Sequence, residues 1–166
     1  TGPLQGISID PGLLPYEKVT VPVNQLNLPP AVPPVTSIEL PLRGDYAFAV
    51  GTTGLRGTLV ETRVLPPVPV RNAVVRLQWL DEDGITWLDA PSRSNTNENG
   101  DFVSIIRLAP ADVPSLDANS LITVHLLASR SARNERRSAN IKIPLGRVVD
   151  PSTIGALIFA WDELQP

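Results

Sequence analysis

Ala73-Val74-Val75-Arg76-Leu77-Gln78-Trp79 alternates with a period of two: Ala73, Val75, Leu77 and Trp79 lie on one face, Val74, Arg76 and Gln78 on the other. Successive side chains of a strand point to opposite sides of its sheet, so this run predicts a strand with one buried face. The same period recurs outward from it. Val19, Val21 and Val23 alternate with Lys18, Thr20 and Pro22; Tyr46, Phe48 and Val50 alternate with alanines; residues 102–108 read as a strand. Ile122, Val124, Leu126 and Ala128 oppose Leu121, Thr123, His125 and Leu127, and Ala139, Ile141 and Ile143 close the series. Asp83-Gly84, Asn99-Gly100 and Leu145-Gly146 separate these runs as turns. Short strands at this spacing predict an all-β sandwich. Helix signals are few, because Pro114 interrupts residues 111–116, while Leu157, Phe159 and Trp161 fit a last strand.

Twelve of the eighteen prolines precede residue 70, in a chain of 166 residues. Proline lacks a backbone donor and fixes φ, so this portion cannot be helix or central strand throughout. Residues 24–35 read as an extended, polyproline-like connector. The expected organisation is a proline-rich β arm over residues 1–50 and a sandwich domain over 51–166. The valines of the arm need a cover, either the sandwich edge or a partner chain. No basic stretch followed by an apolar run opens the sequence, and it contains no methionine, so the chain is expected to be processed or a piece of a longer protein.

Gly57-Thr58-Leu59-Val60-Glu61 is followed by Val68-Pro69-Val70-Arg71-Asn72-Ala73-Val74-Val75-Arg76-Leu77, then by Thr96-Asn97-Glu98-Asn99-Gly100-Asp101-Phe102-Val103 and the strand 121–127. This order resembles the carboxypeptidase regulatory-like family of prealbumin-like (transthyretin-like) domains, whose pattern runs G-x-V, P-V-x-x-A-x-V-x-L, then T-x-x-x-G-x-F. The likeness covers residues 55–143. It departs from the pattern at His125 and Leu127, where a tyrosine-led strand is usual, and in the longer loop after Glu61 that carries Pro66-Pro67. It implies a prealbumin-like Greek-key sandwich and leaves activity open. Ile9-Asp10-Pro11-Gly12-Leu13-Leu14-Pro15-Tyr16 ahead of such a domain is similar to accessory proteins of phage-tail-like contractile injection gene clusters, which implies a bacterial, extracellular or particle-associated setting.

Composition narrows the chemistry. A net charge of −3 and a pI near 5.1 argue against a general nucleic-acid binder. No run approaches the ~18 apolar residues of a membrane span. With no cysteine and one histidine, thiolate and multi-histidine metal sites are excluded, and no cofactor is expected. Asn95, Asn97, Asn99 and Gly100 imitate the first half of a calcium loop, yet its twelfth position is Ile106, so a hairpin turn is the better reading. Asp81-Glu82-Asp83-Gly84 reads as a solvated acidic turn. Gly51, Gly54 and Gly57 lack the spacing and helix of a dinucleotide fingerprint. Gly57, inside a strand, marks a bulge or a close backbone approach.

Three candidate sites remain. Arg130, Arg133, Arg136 and Arg137, opposed only by Glu135, could bind an anionic or protein partner through bidentate contacts; a solvated hairpin loop is the plainer reading. Trp87, beside the acidic turn, is the tryptophan most expected to be exposed and the candidate carbohydrate platform. His125 could serve a hydrolase as general base beside Ser120, Thr123 or Ser129, although periodicity makes it a partly exposed strand residue. The leading expectation is a non-enzymatic structural or interaction domain that binds another protein. A carbohydrate-binding module and a hydrolase are the alternatives.

Overall fold

The computed structural model describes residues 6–26, 38, 40–43, 46–131, 134–150 and 157–166. Its contacts divide the chain into two units, the first ending at Pro41 and the second beginning at Leu42. Proline density alone put this boundary near Gly51. Leu42 is buried, and its N–H donates to the Arg93 carbonyl at 3.3 Å, which draws it into the second unit.

In the first unit, β1 (Gly6–Ile9) pairs antiparallel with β2 (Val19–Pro22). The register sets Ile7 opposite Val21 and Ile9 opposite Val19 on one face, and Ser8 opposite Thr20 on the other. The connecting turn is held by Asp10, which accepts from the Gly12 N–H at 3.0 Å and pairs with Lys18. Gly12 has φ +62°, the left-handed conformation that favours glycine. Strand β2 ends at Pro22, and Val23–Gln25 form a single 3₁₀ turn. Most of the polyproline-like connector lies outside the described residues.

The second unit is all-β, with no α-helix among the described residues. One sheet is built on β3 (Thr53–Val60), which pairs antiparallel with β6 (Asp101–Ile106) on one edge. Along its other edge run two short parallel strands, β10 (Val148–Val149) and β11 (Ile158–Ala160). The other sheet places β4 (Val74–Leu80) between β5 (Trp87–Asn95) and β7 (Leu121–Ser129), all antiparallel. On the far edge of β7, β8 (Glu135–Arg137) and β9 (Ile141–Pro144) follow one another. Leu55, Leu59 and Phe102 of the first sheet share one core with Val75, Leu77, Trp79, Ile122, Val124 and Leu126 of the second. The pair is therefore sandwich-like, with the alternation of β4 and β7 facing inward as their periodicity predicts.

Several local features explain the sequence signals. A Cβ on Gly57 would lie 2.7 Å from the Leu157 carbonyl oxygen and 2.9–3.0 Å from the rings of Phe159 and Phe102, so the glycine marks a close approach. Thr96 is buried because its hydroxyl accepts the Ala73 N–H at 2.9 Å. Gly100 adopts φ +79°, while Asn97 Oδ1 accepts the N–H groups of Asn99 and Asp101; the hairpin turns on the glycine alone. The run 46–50 forms no strand. Tyr46 and Phe48 pack edge to face at 5.1 Å, and the Arg56 guanidinium both donates to the Tyr46 carbonyl and lies over Phe48.

Strand β5 carried no clear period. It is interrupted between Asp89 and Arg93, where the register against Gln78 and Arg76 shifts around Pro91. Proline inside a strand requires an edge or a bulge, and β5 provides both.

Candidate functional site

The outward face of β7 is covered as well as the inward one. Thr123, His125 and Leu127 are 5%, 6% and 4% exposed, so His125 is buried where periodicity predicted partial exposure. The reason is Trp87. Pairing sets Leu80 opposite Trp87 and Gln78 opposite both Asp89 and His125, which brings the first residue of β5 over the middle of β7. The indole lies on the imidazole with ring centroids 3.6 Å apart and 13° between planes. A stacked aromatic pair is worth about 0.5–1.5 kcal/mol beyond the area it buries.

Around this stack is an open cleft of about 550 Å³, lined by Leu80, Gly84, Trp87, His125, Arg137, the stretch 138–140 and Gln165. His125 Nε2 meets Asn140 Oδ1 at 2.6 Å. With the amide oxygen as acceptor, Nε2 carries the proton and Nδ1 keeps a lone pair. Nδ1 is buried without a partner. Burial chiefly holds the imidazole pKa below its usual value and the Arg137 charge adds to this, while the Asn140 bond opposes both; the ring is neutral at pH 7.

The arrangement gives His125 little to activate. Its two nitrogens meet an amide and nothing, so no carboxylate orients the ring as a general base requires. The nearby Ser138 hydroxyl accepts the Leu126 N–H at 2.9 Å and donates to the Ala139 carbonyl at 2.8 Å. Ser120 precedes β7 in a turn with φ +59° and Ser129 ends the strand, so neither sits beside His125 in register. Thr123 shares its face two positions away.

The arginine cluster is split between two surfaces. Arg130 lies over the Trp161 ring at 4.1 Å and pairs with Glu61 at 2.5 Å. Arg136 lies over the same ring at 5.1 Å and donates to the Trp161 carbonyl at 2.8 Å. Both therefore brace the C-terminal segment. Arg137 alternates to the opposite face, lines the cleft and makes no ion pair among the described residues. Arg133 lies outside the described residues.

Sequence reasoning missed Asn140 and Gln165. Gln165 is placed by a bridge in which it and Arg137 exchange backbone hydrogen bonds of 2.7 and 2.8 Å. A polar residue just ahead of β9 carried no local signal of this role. In the 95–101 turn Asn97 Oδ1 is engaged by the N–H groups of Asn99 and Asp101, and no group of three metal-ligating residues occurs among the described residues. No helix of the described residues is long and apolar enough to cross a membrane. No family model matches the chain, and neither a curated protein nor a solved structure matches it.

Proposed function

We propose that the chain is a non-enzymatic interaction domain, a prealbumin-like Greek-key sandwich that binds another protein as an accessory component of a bacterial surface or phage-tail-like assembly. The observation that carries this reading is the loop after β3. Val64, Leu65 and Val68 are 69%, 82% and 55% exposed in one short stretch around Pro66-Pro67. Contiguous exposed apolar side chains of this kind mark protein contact sites. The base of the loop is firmly held: the Glu61 N–H donates to the Val68 carbonyl at 2.8 Å, and Arg63 pairs with Glu163 and donates to the Ile158 carbonyl. A presented apolar tip on a fixed base loses little conformational freedom when it docks.

The amphipathic β1–β2 hairpin supports the same reading, because a two-stranded ribbon with an Ile/Val face is marginal without a partner surface. The bacterial setting and the Greek-key connectivity rest on the sequence resemblances described above. Co-purification of the full chain with products of the adjacent genes, against a Leu65→Asp/Val68→Asp variant, tests the proposal. Retention of one product by the natural chain and its loss with the folded variant are expected. Equal retention by both, or retention of none, overturns it.

A further inference from the structure

We propose that the cleft bordered by Trp87, Arg137 and Asn140 binds a carboxylate-bearing sugar, a pyranose of the uronic-acid type. The first argument is charge. Arg76, on the same outer face, is paired with both Asp89 at 2.5 Å and Glu135 at 3.0 Å, whereas Arg137 has no ion pair among the described residues. Among the described residues no aspartate or glutamate lines the cleft. In the neighbouring acidic turn the Asp83 carboxylate is engaged locally, accepting from the N–H groups of Ile85 and Thr86 and from the Thr86 hydroxyl. An unpaired guanidinium offers a planar, two-pronged donor that a carboxylate matches. One cation suits a single negative charge and leaves the second charge of a phosphate monoester unanswered.

The second argument is the pattern of neutral groups. Asn140 Oδ1 is engaged by His125, so its amino group is left to donate. The cleft thus places an amide donor for sugar oxygens beside the guanidinium. Leu80 and Trp87 supply the apolar wall that the C–H face of a sugar ring requires, and about 550 Å³ falls within the size range of small-ligand sites. The site stands apart from the 64–68 loop and does not depend on it.

Proton NMR of the full chain reads this directly, because His125 is the only histidine. Methyl glucuronide is expected to shift the imidazole resonances saturably, methyl glucoside to bind at least roughly tenfold more weakly, and Arg137→Gln to lower glucuronide affinity by a similar factor while preserving the fold. The exposed guanidinium can be replaced without touching the backbone pairing to Gln165. Equal affinity for glucuronide and glucoside overturns the proposal, as does unchanged affinity in Arg137→Gln. Saturation by acetate at the same concentrations shows charge recognition without a sugar site, and the absence of any saturable shift shows no site; either result also overturns it.

Discussion

The Trp87 indole covers the His125 imidazole face to face, with centroids 3.6 Å apart, and so makes an outward-pointing histidine one of the buried polar residues of the sandwich. The two rings come from β5 and β7, which are separated by β4, so the stack spans the width of three strands.

Removing the cover should change the proton affinity of the imidazole. Trp87→Ala admits water, relieves the desolvation that depresses the pKa, and should move the His125 titration upward toward 6.5. The C2-proton chemical shift of this sole histidine measures it. The half-buried indole should also cost about 1–3 kcal/mol in urea unfolding. An unchanged titration midpoint would show that the stack does not desolvate the ring.

The same depressed pKa fixes the sign of a pH effect. The unfolded chain binds a proton on His125 near pH 6.5, while the folded chain binds it only at lower pH. The contribution is fully present above the unfolded value and is lost as pH falls through the folded one. Arg137 is the charged residue among the described cleft lining. Melting temperature should therefore fall between pH 7 and pH 5.5, and the fall should shrink in His125→Gln. Equal slopes in the two proteins would refute the assignment.

Three glycines should respond differently to alanine. A Cβ at Gly100 would lie 2.3 Å from the Leu59 carbonyl oxygen with φ at +79°, so Gly100→Ala meets both clash and strain. Gly57→Ala meets backbone and two rings at ordinary φ. Gly84 has φ +68° and open space around it, so Gly84→Ala carries strain alone, about 1–2 kcal/mol. Chemical denaturation should rank Gly100→Ala as the most harmful and Gly84→Ala as the mildest, with the first two each above about 2 kcal/mol.

The clamp on Trp161 gives a fourth test. Trp161→Ala should cost about 3–5 kcal/mol, as truncation of a buried tryptophan does. Arg130→Ala removes one partly exposed cation and its Glu61 pair, and should cost about 1 kcal/mol or less, with a salt-sensitive share. A double change that costs no more than Trp161→Ala alone would confirm that the guanidinium acts through the ring.

Legibility in the sequence followed the range of each cause. β4, β7 and β9 were visible because the core-facing side of each writes a period of two into consecutive residues, and β6 because it is a short apolar run buried on both faces. Gly57 and the Gly100 turn were visible because backbone crowding leaves a glycine at a fixed place. β5, β8 and β10 were not, since an interrupted edge strand with Pro91, a three-residue strand of Glu and Arg, and a two-residue strand have no period to show. β1 shows only the short alternation Ile7-Ser8-Ile9, too brief to mark a strand by itself. Trp87, His125 and Arg137 each drew notice singly, but their meeting depends on register across four strands. The division of Arg136 from Arg137 follows from one residue of alternation in β8, which the run of arginines concealed.

The placement of β10 and β11 bears on how the chain leaves the ribosome. Both pair with the same edge of β3, yet they follow it by about a hundred residues, which at ~5–20 residues per second takes about 5 to 20 seconds to synthesise. Through that interval β6 can close one side of β3 while the other side holds a bare row of donors and acceptors. Such a row is a template for a neighbouring nascent chain on the same message. Codon usage that slows translation between residues 106 and 158 should therefore raise the insoluble fraction without altering a single side chain.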